Sequence, residues 1–427
     1  MNTAICPAPT RPAYTLAILT LLSALAFMDR QILAVLIQPV KLEFGLSDLQ
    51  IGLVTGVGFA LTFGLLGVPL GRLADRCERR SLVVWCRGAG GLLAALGSVS
   101  VGFWSLMFTR AGGALSDAGG SPASMAMLAD LYPPAQRSRV MSVFSTSASL
   151  GALVALILGA WLAQHYGWRI TVALFGCSSL IMALLLRWTV REPLRVITVH
   201  AKVDAPRQGA VAAVWAEPVT RWLIIGAACA LLAGFSFGAW NTALLVRHHG
   251  LSLQHAGWIS GSSALASILG SLMAGALTDR LARRDLRWQL GVPVLGLGLA
   301  LPCGLAYLML PAGALTPATL LMVSFAFFMP WWAAPTYAAM SLIVPSQRRA
   351  TASAMVLLSG AIVGNGLGPI LTGWLSDVLS ARLGGDGLRY ALGGMVFMLL
   401  PAMLAFARAL QAYPAAYRRA TQPVAVA

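Results

Sequence analysis

Two sets of charged residues interrupt sequence that is otherwise suited to lipid. Asp29 and Arg30 are the only ionisable side chains between residues 14 and 40, and Arg110 and Asp117 lie inside the apolar stretch 106–131. An unpaired charge at the centre of a bilayer costs roughly 2.5–3.5 kcal/mol on insertion scales. A helix inserts without such residues, so they must face a partner or a wet cavity. Arg110 precedes Asp117 by about two helical turns, which puts both on one face roughly 10 Å apart. Asp29 and Arg30 are adjacent and point about 100° apart, so they need not pair with each other. Either Arg30 reaches Asp117 or Arg110 reaches Asp29. The bland alternative is a charge pair that only locks helices together. The functional one is a site for a solute and its coupling ion.

The pairing decides whether a proton can be carried. A free aspartate titrates near about 3.9. Exchange near neutrality therefore needs a dry setting that disfavours the charged form, and a nearby arginine opposes it. If Arg30 alternates between a carboxylate and an anionic solute, the carboxylate loses its counter-charge as the solute binds and takes up a proton. Arg87, a few residues into its own apolar stretch, lies only roughly 9 Å deep and is expected to snorkel to the nearer surface.

The elements that must position these residues follow from composition. Apolar residues make up 58% of the 427 and charged ones only 10%, too few to cover a water-facing surface. Runs without Lys, Arg, Asp or Glu extend over Leu49–Gly71, Val140–Trp168, Trp222–Val246, Gly250–Thr278 and Ala350–Ser376. Each can cross a hydrocarbon core of about 30 Å as a helix. The run from Trp288 to Gln347 is long enough for two crossings, with a turn at 311–316. The expected spans are 14–40, 51–71, 82–104, 106–131, 140–163, 170–189, 220–246, 252–276, 288–310, 317–344, 351–376 and 389–408.

The net charge of +16 could suggest nucleic acid. Its placement points elsewhere. With the N-terminus inside, most of the Lys and Arg fall in the inner loops and tails, the positive-inside pattern. Both termini are thus expected in the cytoplasm, in a multi-pass protein of the cell inner membrane. The first 13 residues lack a signal-peptide layout. The six cysteines are scattered, without disulfide or metal spacing, and no cofactor site is indicated.

An internal repeat fixes the architecture. Gly71-Arg-Leu-Ala-Asp75-Arg76-Cys-Glu-Arg79-Arg80 follows the second span, and Gly275-Ala-Leu-Thr-Asp279-Arg280-Leu-Ala-Arg283-Arg284 follows the eighth. Gly45-Leu46-Ser47 matches Gly250-Leu251-Ser252, and Pro134-Ala-Gln136-Arg137 matches Pro345-Ser-Gln347-Arg348, in the same order. The expected fold is an all-α membrane protein of twelve helices in two pseudo-symmetric six-helix bundles. The bundles take 1–190 and 220–409, with a linker at 191–219 and a tail at 410–427.

These residues resemble the major facilitator superfamily, in which a G-x-L-x-D-R-x-x-R-R-like loop recurs after spans two and eight. Within it the first half resembles the spinster branch: Met28-Asp29-Arg30-Gln31, Asp117-Ala-Gly-Gly-Ser-Pro122, Ala129-Asp130-Leu-Tyr-Pro-Pro134 and Arg191-Glu192-Pro193. That family usually has Glu where Asp117 stands, which keeps the carboxylate but shortens its reach. A neighbouring branch, the organic-anion:cation symporters, also carries Asp-Arg in span one and an acid in span four. The resemblance implies bundles that rock about a central cavity, with Asp29 and Arg30 binding solute and proton; mid-span placement and spacing add Asp117 and Arg110 as candidates for the same site. It also implies a cytoplasmic gate at Gly71, Asp75, Arg76 and Arg80, echoed at Gly275, Asp279, Arg280 and Arg284.

The second half has no mid-span charge. Asn241, Tyr337 and Asn365 are its candidate cavity polar groups, with Trp331 and Trp332 as walls or, equally, as helix packing. A pocket charged on one side and aromatic on the other suits an amphipathic anion, lysolipid-like or a hydrophobic carboxylate. The expected function is a monomeric, proton-coupled secondary carrier of such a solute, not an enzyme. His-Glu-x-x-His and Walker patterns are missing from the sequence. The alternatives are an organic-anion:cation symporter and a carrier-like sensor that moves nothing.

Overall fold

In lipid every backbone donor and acceptor must be satisfied within the chain, which restricts spanning segments to helices or closed barrels. The computed structural model describes residues 12–192 and 210–421, and all regular elements among them are helical. They are α1 (Pro12–Phe44), α2 (Asp48–Arg76), α3 (Arg79–Leu96), α4 (Phe103–Gly113), α5 (Leu115–Leu131), α6 (Pro134–Val154), α7 (Ala160–Thr189), α8 (Ala210–Ala216) and α9 (Pro218–His249). The second half continues with α10 (Leu253–Ala282), α11 (Trp288–Met309), α12 (Leu315–Phe328), α13 (Ala333–Ile343), α14 (Ser346–Ser359), α15 (Gly368–Leu383), α16 (Gly387–Phe397) and α17 (Leu399–Thr421).

Nine segments among the described residues are long and apolar enough to cross a membrane. Two of them, Arg139–Thr189 with 51 residues and Thr351–Ala420 with 70, each hold two crossings of about 20 residues. Gly167 (φ 83°) breaks the first and Gly384 (φ 60°) the second, in a backbone region that favours glycine. The pair α4–α5, which carries Arg110 and Asp117, supplies one more crossing. Nine plus two plus one gives the twelve helices of the expected fold.

The described residues form two compact units. One comprises residues within 1–32 and 61–200, the other residues within 33–60 and 201–427. The chain leaves the first unit two residues after Arg30. Its core joins Ile18, Leu19 and Leu22 of α1 to Val83 and Cys86 of α3, Met127 and Leu128 of α5, Phe144 of α6 and Leu186 of α7. Small residues bring these helices close: a Cβ on Gly90 would strike Ser116, and one on Gly91 would strike Ser179. Glu192 caps α3, its two carboxylate oxygens accepting the backbone N–H groups of Arg79 (2.9 Å) and Arg80 (2.7 Å).

In the second unit, Gly52 of α2 lies against the backbone of Pro369, and Gly56 against that of Gly366. Ser47 and Gln50 form a capping box at the start of α2, each side chain accepting the other's backbone N–H. A widened, π-type stretch at Gly360–Leu367 precedes Gly368-Pro369, and α15 resumes with Pro369 in its first turn. The matching span of the first half has the same feature at Ala155–Gly159. Helix α17 runs past residue 409 to Thr421 and buries Tyr413 completely.

Candidate functional site

Both pairings left open by the sequence are present. Arg30 Nη1 lies 3.6 Å from Asp117 Oδ2, and Arg110 Nη1 lies 3.6 Å from Asp29 Oδ1. Neither is a close hydrogen-bonded pair. Arg110 directs its best donors at the main chain of α1, to the carbonyls of Asp29 (2.9 Å) and Arg30 (3.1 Å). Asp29 Oδ1 is buried and has no hydrogen-bond partner. Arg30 also lies over the ring of Phe27, 4.3 Å from its centroid.

Arg87 corrects the sequence reading. It does not snorkel: its side chain is 1% exposed and turned into the unit, where Nη1 donates to Asp117 Oδ1 at 3.2 Å. Ser116 Oγ (3.2 Å) and Ser121 Oγ (3.0 Å) accept further bonds from the same guanidinium. A Cβ on Gly120 would meet Arg87 Nε, so this glycine makes room for the side chain. The physical reason is local. A carboxylate and two hydroxyls replace the water that Arg87 would otherwise seek, and burying a charge is tolerable only with such partners. Asp117-Ala-Gly-Gly-Ser121 thus supplies the acid, the clearance and one hydroxyl. Three arginines and two aspartates from α1, α3, α4 and α5 converge here.

The second-half candidates are placed differently. Asn241 is buried, its Oδ1 accepting from Tyr307 Oη at 2.8 Å and its Nδ2 facing Ser260 and Met322. Trp331 and Trp332 are 3% and 6% exposed, and Trp331 packs with Ala274 and Val292. A Cβ on Gly296 would strike Trp331. Tyr337 and Asn365 are half-buried.

At the expected gate, Arg80 pairs with Glu78 (2.5 Å) and donates to the Val190 carbonyl, and Arg79 pairs with Asp130. A hydroxyl bond from Ser81, with Arg80 beside it, holds the Glu78 carboxyl below its usual range. The side chains of Gly71, Asp75 and Arg76 lie outside the described residues. In the second loop Gly275 is half-buried, and Asp279, Arg280 and Arg284 are exposed.

One charged cluster escaped the sequence reading. Asp48, 2% exposed, receives a forked contact from Arg247 (2.8 and 3.0 Å), Lys41 Nζ at 2.5 Å and Ser376 Oγ at 2.6 Å. Arg247 Nε also donates to Gln38 Oε1. Asp377 caps α2, accepting the N–H groups of Asp48 (2.9 Å) and Leu49 (2.8 Å). All of these residues belong to the second unit.

Known proteins share this framework. The family model described as the Major Facilitator Superfamily matches residues 19–362 and 223–424. A Mycolicibacterium smegmatis protein named MFS-type efflux pump is 32% identical over 92% of this chain and 90% of its own length. The probable galactarate/D-glucarate transporter GudP of Bacillus subtilis is 23% identical over 67% of this chain and 69% of its own. A crystal structure of a bacterial homolog of the human lysosomal transporter Spinster, inward-facing and unoccupied, superposes with a TM-score of 0.83 and 26% identity. That match covers 97% of this chain and 99% of the other.

Proposed function

The chain belongs to the Major Facilitator Superfamily and is an integral membrane protein of the transporter fold, and from this premise we propose that it is a proton-coupled secondary carrier of a small anionic or amphipathic solute. The observation that carries the reading is the loose 3.6 Å pairing of two buried carboxylates with exchangeable guanidinium groups at mid-span. A solute anion competes with Asp117 for Arg30, whose side chain is the most exposed of the three arginines at 29%. Its arrival adds negative charge to a dry site, and a proton from water, taken up through Asp29 or Asp117, compensates it. Alternating access then carries solute and proton together, in a monomer with both termini in the cytoplasm of an inner-membrane protein. Asp75 with Arg76 and Arg80 serves as the inner gate.

The name of the B. subtilis relative supports a second reading of the solute, a hydrophilic sugar acid handled in the manner of the organic-anion:cation symporters. Uptake into proteoliposomes separates the two. Decanesulfonate and a lysophosphatidylglycerol represent the amphipathic class, and galactarate the hydrophilic one. An inward-directed proton gradient is expected to drive accumulation of one class above its external concentration. Saturable binding of a probe with no accumulation in any arm makes the protein a sensor and sinks the carrier reading.

A further inference from the structure

Arg87 is used by neither coupling pair as the sequence predicts them, yet it is the most deeply buried charge of the cluster. Asp117 meets two guanidinium groups, Arg87 on Oδ1 at 3.2 Å and Arg30 on Oδ2 at 3.6 Å. Asp29 meets one, Arg110 at 3.6 Å, whose hydrogen bonds go to backbone carbonyls instead. Other charges at this level do not redress the difference. Arg30 on α1, Arg110 on α4 and each aspartate itself face the opposite carboxylate, and Arg87 comes from α3. The spans of α2, α6 and α7 contribute none, being free of Lys, Arg, Asp and Glu over 49–71, 140–168 and 170–186.

We propose that Arg87 is a positioning residue that holds Asp117 as a permanent carboxylate, so that Asp29 alone exchanges the coupling proton. When Arg30 turns from Asp117 towards a solute, Asp117 keeps a counter-ion that has nowhere else to go. Its charge survives the exchange. Asp29 has no such anchor, and its unbonded oxygen accepts a proton from the aqueous phase without breaking a hydrogen bond. Three arginines against two ionised aspartates leave the empty cluster at +1, and a proton on Asp29 raises it to +2, so an anionic solute group meets net positive charge before and after the proton is taken up.

This assignment refines the carrier reading, and it is tested without transport. Infrared difference spectra of the purified protein, recorded between acid and alkaline pH, report the stretching band of protonated carboxyl groups in dry surroundings. The band that titrates is expected to vanish in Asp29→Asn and to persist in Asp117→Asn. Arg87→Gln is expected to add a second titrating component that Asp117→Asn removes. Should Arg87→Gln alone misfold, the double variant Arg87→Gln/Asp117→Asn, which removes the buried pair as a unit and takes an acid only from the more exposed Arg30, restores folding and keeps the Asp29 band. Loss of the native band in Asp117→Asn, absence of the second component in a folded Arg87→Gln, or a double variant that stays misfolded overturns the proposal. Proteoliposomes that accumulate no probe would defeat the carrier reading while leaving an Asp29-only band standing. Proton-driven uptake with a band that follows Asp117 would do the reverse.

Discussion

Around Asp48 each carboxylate oxygen accepts two bonds, all between 2.5 and 3.0 Å, and its main partner Arg247 is fixed in turn by Gln38. Around Asp29 the nearest guanidinium nitrogen is 3.6 Å away and one oxygen bonds to nothing. Both aspartates are buried, so burial does not distinguish them; saturation does. A saturated buried pair is costly to open and works as a fastener for residues 33–60 within the second unit. An undersaturated one can change partner or protonation state at little cost, which is what a coupling site requires.

The largest contrast is expected between two equivalent neutralisations. Asp29→Asn should abolish proton-driven accumulation of the probe, a loss of about 100-fold or more on the scale of removing an essential proton-transfer group. Its thermal unfolding midpoint should stay near the parent's. Asp48→Asn should do the opposite first, lowering stability by about 3–5 kcal/mol because Arg247 loses its buried partner. Detergent-phase thermal unfolding of the two variants side by side reads this directly, and equal destabilisation would erase the distinction between the networks.

Arg30→Lys tests the loose side more finely. The point charge survives but the planar fork does not, so apparent affinity for an anionic probe should fall by about tenfold with folding unchanged. Gly120→Ala places a methyl against Arg87 and should cost about 1–3 kcal/mol by overpacking, while weakening the hold on Asp117. The last test concerns a neutral buried bond in the second unit. Trp240 Nε1 donates to the Pro369 carbonyl at 3.1 Å, and Trp240→Phe should cost about 1–3 kcal/mol through the stranded acceptor, without changing the pH response.

The twelve helices were legible because charge-free runs are long and the loops between them repeat. Asp29, Arg30, Arg110 and Asp117 were legible because a mid-span charge has no structural excuse. Arg87 was not, since depth along its own helix says nothing of a glycine and two hydroxyls facing it from α5. The Asp48 cluster was hidden for another reason. Lys41, Asp48 and Arg247 sit near helix ends, where a solvated charge is the default, and the cap of α2 comes from Asp377, 329 positions from Asp48. Trp331 and Trp332 show a third limit, because an apolar aromatic at mid-span carries the same signal whether it lines a space or fills one. The π-type stretches at Ala155–Gly159 and Gly360–Leu367 have no sequence signature beyond their glycines.

The central claim is that solute and proton move together through Asp29. The most direct measurement is the external pH of weakly buffered proteoliposomes, with the membrane potential clamped, as decanesulfonate is added; this strong-acid probe carries no proton of its own. The account predicts a solute-dependent alkalinisation in the parent protein and none in Asp29→Asn. Transport of the probe without proton movement, or the same alkalinisation in Asp29→Asn, would contradict it.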